Sequence, residues 1–168
     1  MVIIVEGIDR VGKTTLCNML SESLGYPIFK EDVRDFKDTV QQYANFCSML
    51  SIVNMCKCLN ANIIFDRFFA TEYVYGRIER GYSLQLADLV NESVVQLLND
   101  IQCVFVYVRP TDISASSKEH GKNLEEHDKL FFELFNSELM KDSKMLKIDC
   151  DFNSLSSVVE IIKGMVDC

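Results

Sequence analysis

Residues 7–14 read Gly-Ile-Asp-Arg-Val-Gly-Lys-Thr and fit the pattern G-x-x-x-x-G-K-[ST] of a phosphate-binding loop, or P-loop. An apolar, β-branched run at residues 1–5 precedes this loop, as expected of a buried parallel strand. After the loop, leucines and a methionine recur at helical spacing as far as residue 24. This pattern binds phosphate where a strand, a glycine-rich turn and a helix follow one another. The first 24 residues are therefore predicted to form the start of an α/β domain.

The P-loop pattern predicts a nucleotide-binding site and suggests a role for its residues. Its glycines let the backbone curl so that several N–H groups point at one anion, and the start of the following helix adds partial positive charge. Lys13 is expected to reach the β- and γ-phosphates of ATP, and the Thr14 hydroxyl is expected to bind Mg²⁺. The predicted ATP-binding residues are Gly7, Ile8, Asp9, Arg10, Val11, Gly12, Lys13, Thr14 and Thr15.

The composition restricts the class of protein. With 168 residues and 48% hydrophobic content, the chain is predicted to form one globular domain, 1–168. Its net charge of −8 argues against a nucleic-acid partner, because nucleic-acid binding needs a basic face. No apolar run approaches the ~20 residues of a transmembrane helix and no basic leader is apparent, so we expect a cytoplasmic protein with no membrane partner. Its seven cysteines are expected to be reduced thiols.

Short apolar runs alternate with helical patterns along the rest of the chain. This alternation predicts a three-layer α/β fold of the P-loop type, with a five-stranded parallel sheet flanked by helices. Ligands bind such sheets beyond the carboxyl ends of the strands, so the residues that end strands become the candidate site residues. After the first strand, further strands are predicted at 26–30, 62–66, 103–109 and 145–149, and helices near 36–60, 71–80, 84–100, 123–140 and 154–166.

A second motif, Asp66-Arg67-Phe68, follows the apolar strand at 62–65. A hydrophobic strand that ends in an acid is typical of a Walker B element, in which the carboxylate helps to hold Mg²⁺, so Asp66 and Thr14 form the predicted metal site. The guanidinium of Arg67 has the geometry to bind a phosphate through two hydrogen bonds. The alternative is a surface ion pair at a strand end.

The P-loop through Thr15, together with Asp66-Arg67-Phe68-x-x-Thr71-x-x-x-Tyr75, resembles the thymidylate kinase family and is similar to the related deoxynucleoside kinases. The resemblance is specific at these two motifs and loose elsewhere. It implies a kinase that uses ATP and Mg²⁺ and transfers a phosphoryl group to a deoxynucleoside monophosphate. The implied partner is therefore a small nucleotide or nucleoside, and a homodimer is common among such relatives.

The resemblance also implies roles for individual residues. Asp9 matches an acid that contacts the sugar 3′-hydroxyl, and Arg10 matches an arginine that stabilises the transferring phosphoryl group. Asp66 would lie near Mg²⁺ and the acceptor phosphate, which Arg67 would bind. Thr71 and Tyr75 match acceptor-binding positions, and Tyr75 would lie against the deoxyribose or the base. The predicted catalytic residues are Lys13, Arg10, Asp9, Asp66 and Arg67.

The segment after the second strand departs from the thymidylate kinase pattern and leaves the acceptor open. It reads Lys30-Glu31-Asp32-Val33-Arg34, where that family usually has an Arg-Glu-Pro-like sequence. In deoxynucleoside kinases a glutamate near this point acts as a base toward the 5′-hydroxyl, a role open to Glu31 or Asp32. Equally, Lys30 or Arg34 would suit a monophosphate, and a solvated charged loop is the third interpretation.

The helix predicted after this segment is the candidate base-binding element. Phe46 matches a phenylalanine that stacks on thymine in thymidylate kinases, but the arginine that follows it four residues later is missing here. Gln41, Gln42 and Asn45 are the polar candidates for reading a base edge, because amides form paired hydrogen bonds. Tyr43 and Phe46 would supply stacking, or would belong to the core. Among these, we predict Gln42 and Phe46 as acceptor-binding residues.

A polar segment around 111–125 follows the fourth strand, where P-loop kinases place a mobile lid. Lys118 and Lys122 are its candidate cations; it contains no arginine, which fits with Arg10 supplying that charge. The alternative is a solvated loop. His120 and His127 are expected at the surface. By analogy, residues 149–152 would form part of the adenine pocket.

A kinase that modifies a base within DNA is disfavoured by the acidic charge of the chain. Two further alternatives to a nucleotide kinase remain open from the sequence. The first is a deoxynucleoside kinase that phosphorylates the 5′-hydroxyl. The second is a P-loop protein that binds nucleotide without catalysis, although the intact Lys13, Thr14, Asp66 and Arg67 speak against it. Apolar runs at 49–55 and 94–98 would serve a homodimer interface or the core.

Overall fold

The computed structural model describes residues 1–30, 39–81, 84–110, 112–113 and 124–166. Five strands form one sheet in the order β2-β3-β1-β4-β5, and every neighbouring pair is parallel. This confirms the predicted fold class. The strands are β1 (Val2–Glu6), β2 (Ile28–Lys30), β3 (Ile63–Asp66), β4 (Cys103–Arg109) and β5 (Leu146–Asp151).

Helices flank the sheet and pack in two groups. The first and last helices contact each other, while the helices between them pack mainly with one another. Within the described residues the helices are α1 (Lys13–Leu24), α2 (Thr39–Leu59), α3 (Phe69–Ile78), α4 (Leu84–Leu98), α5 (Glu125–Phe135), α6 (Glu138–Lys141) and α7 (Leu155–Val166), with a 3₁₀ turn at Phe152–Ser154.

The central strand β1 determines where the P-loop lies. All five of its residues are buried, as expected of a strand that has neighbours on both edges and helices on both faces. Val5 is paired with Asp66 of β3, and Glu6 is paired with Tyr107 of β4. Because all strands are parallel, the loop after β1 and the ends of β3 and β4 meet at one edge of the sheet, where α/β proteins bind ligands.

The structure changes the bounds of some predicted elements. The strand predicted at 26–30 begins only at Ile28, because Pro27 has no N–H for a ladder bond and contributes only its carbonyl, which accepts from Ile64. The helix predicted at 123–140 is two helices: α5 ends at Phe135, and the Ser137 side chain accepts from the backbone N–H of Met140 to start α6. The fifth strand continues to Asp151 because that residue still pairs with Arg109.

Two expectations from composition can be compared with the described part of the chain. The cysteines found there are free thiols: Cys17, Cys47, Cys56, Cys58, Cys103 and Cys150. No helix in the same ranges has the length and apolar character needed to span a bilayer. The single domain at 1–168 stays a prediction. So does the lid around 111–125, because most of that segment lies outside the described residues.

Candidate active site

The P-loop backbone has the left-handed turns that its glycines allow. Gly7 has φ +140°, and a Cβ there would lie 2.2 Å from the carbonyl oxygen of Val108, so β4 approaches too closely for any side chain. Gly12 has φ +96° and would place a Cβ 2.6 Å from the ring of Phe152. Arg10 also has a positive φ, of 62°, which is uncommon outside glycine. The loop leads directly into α1, whose first N–H groups lack acceptors within the helix and suit an anion.

A cavity of about 360 Å³ opens beside the P-loop and carries a concentration of positive charge. Three cationic side chains line it: those of Arg10, Lys13 and Arg67. In a chain with a net charge of −8, this grouping is a local feature that suits a polyphosphate. The remaining lining residues are Gly12, Thr14, Thr15 and Phe152.

Lys13 is almost completely buried, with 4% of its surface exposed. Its ammonium donates a hydrogen bond to the carbonyl of Ile8, within the P-loop. Burial, followed by the charge of nearby Arg67, lowers the pKa of Lys13 from 10.5 to about 7, although the carboxylates around it oppose the shift. A bound polyphosphate would supply negative charge where this ammonium needs it.

Thr14, which lines the same cavity, is hydrogen-bonded to Asp66 at the end of β3. The Thr14 hydroxyl donates to Asp66 Oδ2 over 2.7 Å, and the ammonium of Lys30 lies 3.6 Å from the same oxygen. Asp66 Oδ1 is buried and has no hydrogen-bond partner within the described residues.

An unpartnered carboxylate oxygen beside a hydroxyl fits Mg²⁺, which prefers oxygen ligands and completes its shell with phosphates and water. The described residues contain no group of three His, Cys, Asp or Glu side chains that would hold a metal alone. Thr14 and Asp66 are therefore the candidate ligands.

Arg67 and Asp9 are bound to each other. The Arg67 guanidinium donates to the Asp9 carboxylate and lies 5.9 Å from the ring centre of Tyr75. The backbone of Arg67 has φ +76°, an unfavourable value for a side-chain-bearing residue, and such values concentrate at functional sites. Two predicted site residues from separate motifs thus form one ion pair beside the phosphate cavity.

Glu6 is a site residue that our sequence reasoning did not select. It ends β1, is fully buried, and accepts backbone N–H groups from the start of α3. Burial raises the pKa of this carboxyl, and the hydrogen bonds from Thr71 and Phe68 oppose that rise. The sequence did contain a sign of this role, because Glu6 is a single acid at the end of a wholly apolar strand, and a buried carboxylate needs hydrogen-bond partners.

The predicted acceptor residues occupy different environments. Thr71 is fully buried, and its hydroxyl donates to Glu6 Oε2 over 2.6 Å. This hydroxyl is therefore used in a contact within the protein. Tyr75 is buried near Arg67, and burial raises the pKa of its phenol to about 12. Gln42 and Phe46 are both buried on α2. Outside the described residues are Glu31, Arg34, Lys118 and Lys122.

His127 is buried, so the expectation that it lies at the surface is wrong. Only 3% of its surface is exposed, its Nε2 lies 3.3 Å from Glu79 Oε1, and its ring centre is 4.7 Å from that of Tyr75. The reason is that α5 packs on α3, and His127 is on the packed face. This contact connects the helix after the predicted lid to the helix of Tyr75.

A second cavity of about 370 Å³ lies at the ends of β4 and β5. Arg109 is 3.7 Å from Asp149 there, and its guanidinium lies 5.0 Å from the ring centre of Phe132. Residues 149–154 contribute to both cavities, because Phe152 lines the first. The cavity is lined by Arg109, Pro110, Asp149, Cys150, Asp151 and Ser154.

Several solved structures resemble this fold over nearly the whole chain. A YorR protein from Bacillus subtilis, solved in complex with phosphorylated GDP, has a TM-score of 0.68 at 23% identity, covering 99% of this chain and 96% of its own. A deoxyadenosine kinase from M. mycoides with bound dATP has a TM-score of 0.60 at 21% identity and covers 100% of both chains. A thymidylate kinase from Candida albicans has a TM-score of 0.61 at 18% identity, covering 97% of this chain and 91% of its own.

No protein-family model matches the sequence, and a search of curated proteins finds no match. The structural likenesses therefore carry the comparison. They show that the chain has the P-loop fold that nucleotide and nucleoside kinases share.

Proposed function

We propose that this protein is a kinase that transfers the γ-phosphoryl group of ATP to a deoxynucleoside monophosphate, with Mg²⁺ as cofactor. The observation that carries the proposal is the meeting of three cations, Arg10, Lys13 and Arg67, on the cavity that the P-loop forms. Phosphoryl transfer needs little covalent help from a protein. Its catalysis is mainly positioning of the two substrates and neutralisation of charge on the transferred group.

On the donor side, the P-loop N–H groups and Lys13 would hold the β- and γ-phosphates. Thr14 and Asp66 would hold Mg²⁺, which would supply positive charge to neutralise the phosphates. Arg10 would supply further positive charge to the transferring group, since it lines the same cavity. Binding of this negative charge would favour the protonated form of Lys13, which burial disfavours in the ligand-free site.

On the acceptor side, positive charge at the ends of β2 and β3 favours a monophosphate. Lys30 ends β2 beside Asp66, and Arg67 follows β3 directly, so two cations flank the position that an acceptor phosphate would occupy. A neutral nucleoside hydroxyl would need a base there and would gain little from these cations. Asp9 would hold Arg67 in orientation until the acceptor phosphate arrives.

Aromatic and polar groups would hold the two nucleosides. Phe152 lies against the P-loop and presents an exposed ring, which suits stacking on the donor base. Tyr75, Gln42 and Phe46 would contact the acceptor nucleoside. The predicted lysines of the lid, Lys118 and Lys122, would complete the phosphate site when the lid closes.

A deoxynucleoside kinase is the second candidate. The ion pair between Arg67 and Asp9 supports it, because Arg67 is already neutralised without a phosphate. The full-length likeness to a deoxyadenosine kinase is also compatible with it. In that case Glu31 would be the base toward the 5′-hydroxyl.

The test is to incubate the protein with ATP, Mg²⁺ and each common deoxynucleoside or its monophosphate, and to follow ADP release. We expect release to depend on a monophosphate, with one base preferred. Release with nucleosides alone would favour the second candidate. Absence of release with every acceptor, while ATP still binds, would favour a nucleotide-binding protein without transfer. Lys13→Met is the control for contaminating kinases.

A further inference from the structure

We propose that Glu6 is a positioning residue that holds Arg67 in its working conformation by capping helix α3 from the end of strand β1. This inference rests on the proposed function, in which Arg67 binds the acceptor phosphate. Glu6 itself does not line the phosphate cavity, so it would act only through the segment to which it is bonded.

Within the described residues, the side-chain hydrogen bonds of Glu6 all lead to one short segment, 68–71. Its Oε1 accepts the backbone N–H groups of Phe68, Ala70 and Thr71 at 2.8, 3.0 and 3.2 Å. Its Oε2 accepts the hydroxyl of Thr71 at 2.6 Å. The first residues of a helix have N–H groups without intrahelical acceptors, and a nearby side chain normally caps them. The side chain of Phe68, at the N-cap position, has no hydrogen-bond acceptor. Glu6, which lies 62 positions earlier in the chain, serves as the cap instead.

Arg67 lies between two anchors on β1. Its own N–H donates to the Val5 carbonyl over 3.1 Å, and the next N–H, that of Phe68, donates to Glu6. Between these two bonds its backbone has φ +76°. Such a conformation is unfavourable for arginine and persists only where the surrounding structure imposes it. Removing the second anchor would let the backbone relax and move the guanidinium away from the cavity.

A carboxylate is well matched to this task because it has only acceptor oxygens, and four donors converge on it. In Glu6→Gln the amide oxygen would keep the three backbone bonds, and the Thr71 hydroxyl would turn to accept from the amide nitrogen. In Glu6→Leu all four donors would lose their acceptor. The pair of variants therefore separates loss of the cap from loss of the charge.

The experiment compares Glu6→Leu and Glu6→Gln with Val74→Ala, a fully buried apolar position on the same helix that makes no polar contact with this segment. We expect Glu6→Leu to raise the KM for the acceptor about tenfold or more, as misplacement of a substrate-positioning group does, while the KM for ATP changes far less. Glu6→Gln should remain within about threefold of the wild-type acceptor KM. Val74→Ala should lower the Tm and leave both KM values unchanged.

A double variant tests whether Glu6 acts through Arg67. If it does, Glu6→Leu combined with Arg67→Ala should raise the acceptor KM no further than Arg67→Ala alone, because the effects of coupled residues do not add. Fully additive effects would overturn the proposal. It would also be overturned if Glu6→Leu behaved like Val74→Ala.

A second readout does not depend on turnover or on Glu6→Leu being folded. Glu6→Asp keeps the carboxylate but shortens the side chain by one methylene, which withdraws the acceptor from the Phe68 N–H, and NMR of the Arg67 guanidinium Nε–H reports its environment directly. A shift of this signal relative to wild type and to Val74→Ala supports the proposal, and an unshifted signal overturns it. If the wild-type protein transferred no phosphate to any acceptor, the proposed function would fail while this signal still decided the role of Glu6.

Discussion

The Thr14 hydroxyl and the Asp66 carboxylate are 52 residues apart in the chain and are joined by a hydrogen bond of 2.7 Å. One comes from the first turn of α1 and the other from the last residue of β3, and the pairing of Val5 with Asp66 brings them together. The second oxygen of Asp66 is buried and lacks a hydrogen-bond partner among the described residues. This relationship is the basis for the candidate Mg²⁺ site.

Asp66→Asn should weaken Mg²⁺ binding, so that transfer needs a higher Mg²⁺ concentration. The asparagine oxygen would still accept from Thr14, so the fold should survive, but the negative charge that attracts the cation would be lost. We expect kcat to fall about 10²-fold or more at a fixed, subsaturating Mg²⁺ concentration. A Mg²⁺ titration of turnover measures this, with Asp100→Asn, at an exposed ion pair with Lys57, as the control. An unchanged titration curve would mean that Asp66 is not a ligand.

Lys13→Met should abolish turnover and stabilise the ligand-free protein at neutral pH. Between pH 7 and 10.5 the unfolded chain binds a proton at Lys13 that the folded chain has released, so this residue makes stability rise with pH over that window. We expect the variant to be more stable by about 1–3 kcal/mol at pH 7 and the gain to shrink toward pH 10. Urea unfolding across that range measures it. Lys129→Met, at an exposed lysine, should give no gain at pH 7.

Arg67→Ala should raise the KM for the acceptor much more than the KM for ATP. The reason is that Arg67 follows β3 at the proposed acceptor phosphate, whereas the ATP phosphates lie on the P-loop. Loss of a charge-assisted hydrogen bond of this kind costs about 1.5–3 kcal/mol, or roughly 10- to 150-fold in affinity. Steady-state kinetics with both substrates varied measures it, and Arg77→Ala, on the helix that follows Arg67, is the control because its guanidinium contacts Tyr73. Equal effects on both substrates would place Arg67 elsewhere in the mechanism.

Gly12→Ala should impair ATP binding by more than the strain of placing an alanine at a positive φ would explain. Both Gly12 and Gly25 have positive φ values, of 96° and 72°, but a Cβ at Gly25 meets nothing within 4 Å. Gly25→Ala should therefore cost only the conformational strain of about 1 kcal/mol. A Cβ at Gly12 would displace the Phe152 ring, so we expect a higher Kd for ATP by calorimetry in that variant alone. Matching Kd values in the two variants would contradict the close packing of Phe152.

The sequence predicted the parts of the site whose chemistry is contained in short segments. The P-loop and Asp66-Arg67 each stand at the end of an apolar strand, and parallel strands bring such ends to one edge of the sheet. For the same reason the parallel sheet itself followed from the alternation of elements. The predicted bounds were least accurate at β2, where Pro27 shortens an edge strand. They were also inaccurate at α5 and α6, because the Ser137 cap divides one predicted helix into two.

The remaining features depend on contacts between distant segments, which a single sequence does not display. The role of Glu6 requires the register of β1 against β3 and the start of α3, and the same contact engages the Thr71 hydroxyl. Phe152 touches Gly12 only because β5 ends beside the P-loop. His127 is buried because α5 packs on α3. The polar residues next to His127 in the sequence do not reveal which face of α5 makes this contact.

The most direct measurement of the central claim is phosphorus NMR of a reaction that contains the protein, ATP, Mg²⁺ and the preferred deoxynucleoside monophosphate. We expect the γ-phosphate signal of ATP to be replaced by the signals of ADP and of a new deoxynucleoside diphosphate, and we expect Lys13→Met to leave the spectrum unchanged. ATP that remained intact with every monophosphate, or that released only inorganic phosphate, would contradict it.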